Sequence, residues 1–151
     1  MNEDKRHEDF QYWLVDMDSA LERFLESLPI EVRERLDFAP ESLGALEGWI
    51  IERYPNTGAM LEPSESRVVD GLARYIGETF RKAIGGRWEI RLDDPKYVFH
   101  AIPQLTGFSE TPTPVSPHSL ATASADRRTG RFLTQVLGSY LRDKERKQGR
   151  S

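Results

Sequence analysis

The sequence predicts an α+β fold in which four or five helices pack on a small antiparallel β-hairpin or a three-stranded sheet. Three observations predict it. Apolar residues recur at three- and four-residue steps in several separate segments, the spacing that lines one face of a helix. The period then drops to two over residues 87–92, the spacing of a half-buried strand. Finally, 151 residues with 38% apolar and 30% charged side chains suit one ordinary folded domain, with residues 1–8 and 143–151 as frayed tails.

The first element is a helix of about five turns. Phe10, Trp13, Leu14, Met17, Leu21, Phe24, Leu25 and Leu28 form a broad apolar stripe, and Pro29 ends it. Ile30, Val32 and Leu36 suit a short second helix that tolerates Pro29 in its first turn. A third begins near Pro40 with Leu43, Leu46, Trp49, Ile50 and Tyr54 facing inward, and Tyr54-Pro55-Asn56-Thr57-Gly58 terminates it. A fourth starts at Pro63-Ser64-Glu65-Ser66 and carries Val68, Val69, Leu72, Tyr75, Ile76, Phe80 and Ile84. Gly85-Gly86 stops it, because glycine takes a left-handed cap without steric cost. Gly71 and Gly77 lie inside this helix at about 1 kcal/mol each relative to alanine, so their expected use is to let another element come close.

Trp88, Ile90 and Leu92 then alternate with Arg87, Glu89 and Arg91, giving the first strand. Asp93-Asp94-Pro95 is a turn, and residues 96–102 are the expected returning strand. Residues 103–117 hold four of the nine prolines and read as an ordered surface loop. Ser116-Pro117 opens a short helix through Leu120 and Ala123. Phe132, Leu133, Val136, Leu137, Tyr140 and Leu141 form the stripe of the last one.

Composition excludes several chemistries. There is no cysteine, hence no zinc-thiolate site, iron–sulfur cluster, redox pair or cysteine nucleophile. No run approaches the roughly 18 apolar residues of a membrane span. The opening MNEDKRHED is too charged for a secretory signal, and the cytoplasm is the expected location. The phosphate-loop, GxGxxG, HExxH and GxSxG motifs are all missing. His7, His100 and His118 fall in three different elements, so no metal set is assigned, and no catalytic residue or cofactor either. Asp93-Asp94 is an ordinary turn pair, and Asp16 and Asp18 point in different directions on a helix.

Charge is uneven along the chain. Residues 1–66 hold 16 acids and 6 bases, whereas residues 67–151 hold 9 acids and 15 bases. The plainer reading is two halves whose fields partly cancel in the fold. The sharper one is an acidic surface that draws in a basic protein partner. Nucleic acid is disfavoured. Arg127, Arg128, Arg131, Arg142, Lys144, Arg146, Lys147 and Arg150 supply positive charge, but Asp143 and Glu145 interrupt the tail and the chain's pI is near 5.5.

Glu78 is the most informative acid. Arg74, Arg81 and Lys82 lie within one helical turn of it, and the expected structural role is an ion pair or a polar tether to the hairpin, through Trp88 or a strand backbone. The functional alternative is a pocket between the 64–84 helix and the 87–102 hairpin, lined by Tyr75, Glu78, Arg87, Trp88 and His100.

With Tyr75-Ile76-Gly77-Glu78 followed by Gly85-Gly86-Arg87-Trp88, and Pro40-Glu41-Ser42-Leu43-Gly44-Ala45-Leu46-Glu47 upstream, the chain resembles a group of small uncharacterised bacterial α+β domains. In these a YxGE helix ends in GGxW and enters a strand. The resemblance spans about residues 36–105 and implies that the tryptophan-bearing strand packs on the YxGE helix. It brings no catalytic residues. Such domains occur among immunity, accessory and interaction proteins. The expected function is therefore a non-enzymatic protein-binding module of the immunity or adaptor kind, using the acidic first half; the oligomeric state is open. The alternative is a small-ligand-binding domain or small enzyme built on the pocket above.

Overall fold

The computed structural model describes residues 3–108 and 113–149. Within them eight helices surround one two-stranded antiparallel sheet, so the α+β class holds with more helices than expected and no third strand. The five-turn first helix is two, α1 (Glu3–Val15) and α2 (Met17–Ser27), broken at Asp16 with φ −81° and ψ 1°. Across the break Met17, Leu21 and Phe24 belong to the main core, and Trp13 packs against it. α3 (Ile30–Arg33) follows Pro29 as expected, and α4 (Ser42–Arg53) follows Pro40. The terminating stretch after Tyr54 holds one extra turn, α5 (Thr57–Met60), because the Asn56 side chain accepts the Ala59 N–H at 2.9 Å and caps it.

A 3₁₀ turn over Pro63–Glu65 leads into α6 (Ser66–Ile84). Residues 71–77 of α6 are buried without interruption, the signature of a helix surrounded on all sides rather than one lying on a surface. It packs against α2, α7 and α8. Both interior glycines serve close approach. A Cβ at Gly71 would lie 2.3 Å from the Phe24 ring, and one at Gly77 would lie 2.1 Å from the Trp88 indole. Leu72, Tyr75, Ile76 and Phe80 of this helix, and Leu43, Leu46, Ile50, Leu105, Leu133 and Leu137 around it, are fully enclosed, each contributing roughly 1.5–3 kcal/mol by burial.

The expected hairpin is corrected in its second arm. β1 (Arg87–Glu89) pairs with β2 (Gln104–Thr106), Arg87 opposite Thr106 and Glu89 opposite Gln104. Residues 96–102, expected as the returning strand, are instead wound into consecutive turns. The Asp94 side chain accepts the Lys96 N–H at 2.9 Å, and the N–H groups of Tyr97, His100 and Ile102 donate to Asp94, Tyr97 and Phe99 carbonyls. Local aspartate turn chemistry thus outweighs the β-propensity of Tyr97, Val98 and Phe99. The stretch read as surface loop supplies β2, and Leu105 exchanges two backbone hydrogen bonds with Val115.

α7 (Pro117–Arg127) and α8 (Phe132–Gln148) complete the chain. Terminal residues 3–8 and 143–148 are helical; Lys144 Nζ donates to the Ala83 carbonyl at 3.1 Å. α8 is capped from a distance. Glu47 of α4, fully buried, accepts the Phe132 and Leu133 N–H groups at 3.0 and 2.7 Å, placing a carboxylate on the positive end of the helix dipole.

Candidate functional site

The end of α6 and the start of β1 meet over Gly77. With no Cβ there, the Trp88 indole lies directly on the helix. Its Nε1–H donates to Glu78 Oε2 at 2.9 Å, and Arg81 Nη1 donates to the same oxygen at 2.7 Å. The polar tether expected of Glu78 is therefore present. Arg74 does not join it but pairs one turn earlier with Asp70, Nε to Oδ2 2.7 Å.

The five residues expected to line one pocket separate into three places. Glu78, Arg87 and Trp88 line a depression of about 390 Å³ with Met17, Asp18 and Arg81. Tyr75 does not line this depression; it lies behind Phe38, fully buried and stacked on it at 4.5 Å. Its hydroxyl accepts the Phe38 N–H at 2.9 Å and lies 2.8 Å from the Ser42 hydroxyl, and burial pushes its pKa up. His100 sits in the turns of the β1–β2 connection, where Arg6 Nη1 approaches its Nε2 at 3.4 Å.

A second depression of about 290 Å³, with Leu21, Glu22, Leu25, Phe38 and Lys82, shares Asp18 and Glu78 with the first. Together they make one groove between α2 and α6. Its floor is apolar, from Met17, Leu21, Leu25, Phe38 and Trp88. The α2 wall carries Asp18 and Glu22, and the opposite wall carries Arg81, Lys82 and Arg87.

A separate cavity of about 430 Å³ opens between α1, α6, the β1–β2 connection and the first turn of α7. Trp13 fixes α1 there. Its Nε1–H donates to Asp70 Oδ1 at 2.7 Å, and the Arg74 guanidinium lies 4.2 Å from its ring and donates to its backbone carbonyl at 2.8 Å. The Trp13 ring also meets Trp88 edge-on at 4.8 Å. Both Asp70 oxygens are thus occupied and its charge is balanced by an Arg74 side chain only 4% exposed. His118 forms part of this wall, its Nδ1 buried without a partner. Burial holds its pKa below the ordinary imidazole value, against the pull of Asp70 and with the push of Arg74.

Sequence reasoning passed over this second constellation. Trp13 and Asp70 are 57 residues apart, and no spacing rule links either of them to His118. Only Ser116-Pro117, a helix start that fixes His118 in the first turn of α7, gave a local signal.

Among the described residues no three His, Asp or Glu side chains are grouped as metal ligands, and no helix is long and apolar enough to cross a membrane. No protein-family model matches the chain, and neither the curated proteins nor the solved structures contain a significant match to it.

Proposed function

We propose that this chain is a non-enzymatic protein-binding module that receives a basic partner on the acidic face of its first half. The observation that carries the reading is the α2–α6 groove, an apolar floor with Asp18 and Glu22 along one edge. The opposite edge carries Arg81, Lys82 and Arg87 beside Glu78, and the acidic excess belongs to the first half as a whole. Of the 16 carboxylates in residues 1–66, 13 are exposed, and one of the other three, Glu47, is spent on capping α8. An acidic surface of this kind accelerates encounter with a cationic protein, and the apolar floor then supplies burial that slows its escape. The resemblance to domains found among immunity, accessory and interaction proteins points the same way.

The test compares capture by the native chain with capture by the double variant Asp18→Lys/Glu22→Lys, both incubated with lysate of the producing organism. One stoichiometric basic protein, bound by the native chain, weakened by salt and lost with the variant, is the expected result. Equal capture by both chains, or a partner whose binding ignores salt, overturns the reading.

A further inference from the structure

We propose that the cavity between α1, α6, the β1–β2 connection and the start of α7 binds a small organic anion, a carboxylate carried on an apolar body. This site is independent of the α2–α6 groove and of the protein-docking reading built on it. Its volume of about 430 Å³ falls in the range of small-molecule sites, which are mostly apolar with a few convergent polar groups. Phe10, Trp13, Leu92 and Pro103 supply the apolar walls.

The charges around the cavity select the sign of the ligand. Asp70 is balanced by Arg74, and each of its oxygens already accepts a hydrogen bond. Asp9, also in the lining, pairs with Lys5 at 3.7 Å. Arg6 is different. Its neighbour is the His100 ring, and it makes no ion pair with a carboxylate among the described residues. That contact engages Nη1 alone and an imidazole carries no negative charge, which leaves the other guanidinium N–H groups for a ligand. His118, kept neutral by burial, adds a polar contact without changing the charge of the wall. Of the charged residues that line the cavity, Arg6 alone has no oppositely charged partner among the described residues, and its planar fork matches a carboxylate.

The test titrates the full chain with octanoate and with octylamine at neutral pH, followed by calorimetry and tryptophan fluorescence. Trp13 makes the second readout local to the cavity. The expected result is saturable binding of octanoate, absent or at least about tenfold weaker for octylamine, weakened about tenfold or more by Arg6→Gln, and switched toward the amine by Arg6→Glu. Arg6 is exposed, so far-UV circular dichroism is expected to match the native chain. Equal binding of both probes, preference of the native chain for the amine, indifference to Arg6→Gln, or no binding of octanoate at millimolar concentration each overturns the proposal. None of these results bears on capture of a basic protein at Asp18 and Glu22, so the two readings fail separately.

Discussion

A buried carboxylate is costly unless every lone pair it needs is used, and Glu47 shows how one can be retained. Its two oxygens take the first N–H groups of α8, donors that no intrahelical carbonyl can reach. Glu47→Ala leaves those groups without an acceptor, and the expected loss is about 2–4 kcal/mol in urea unfolding, with Glu47→Gln losing less because one carbonyl oxygen remains. His118 makes the opposite bargain, a titratable ring held neutral. Since its folded pKa lies below the ordinary 6.5, the unfolded chain takes up the proton first as pH falls. The stability contributed by the neutral ring is complete above about pH 6.5 and drains away as pH drops toward the folded value. Melting scans between about pH 7.5 and 5.5 are expected to show a drop for the native chain that is smaller for His118→Asn; an unchanged slope in the variant counts against the assignment.

At the scale of elements, α6 shows where helix propensity yields to packing. Alanine for glycine in a helix gains about 1 kcal/mol, but forcing a methyl into a filled space costs roughly 1–3 kcal/mol. At Gly71 and Gly77 the new carbon would fall 2.3 and 2.1 Å from ring atoms, so both alanine variants are expected to be less stable than the native chain. Gly77→Ala should also disturb the near-ultraviolet signal of Trp88. Gly48→Ala is the control: nothing lies within 4 Å of the added carbon, and a gain of up to about 1 kcal/mol is expected. This role of the two glycines was legible, because a glycine inside a long amphipathic stripe has few other uses. The same is true of the Glu78–Trp88 tether and of the helix boundaries set by Pro29, Pro40 and Gly85-Gly86. The second strand was not legible. Tyr97, Val98 and Phe99 carry strand propensity, yet the turn begun by Asp94 continues through them, and Gln104–Thr106, hidden in a proline-rich stretch, is what pairs with β1. Nor did periodicity show the break at Asp16, since the apolar spacing runs through it undisturbed.

For the molecule as a whole, the sequence could be counted but not folded by hand. The acidic first half was plain from arithmetic, and its carboxylates do lie mostly outside. What arithmetic could not supply were pairings between distant residues. Glu47 with Phe132 and Leu133 spans 85 and 86 positions, and Trp13 with Asp70 spans 57. The groove and the cavity depend on such pairings, which is why the five residues proposed for one pocket fell into three places.

The enclosure of α6 also gives the molecule a built-in gauge. Residues 71–77 are shielded by helices from both halves of the chain, so no partial fraying brings solvent to their amides. Deuterium is expected to reach them only when the entire structure opens, and the outer turns of α1 and α8 to exchange by small local excursions. The uptake of a single peptide covering 72–80 therefore measures the free energy of the complete fold, on which the effect of any substitution elsewhere can be compared.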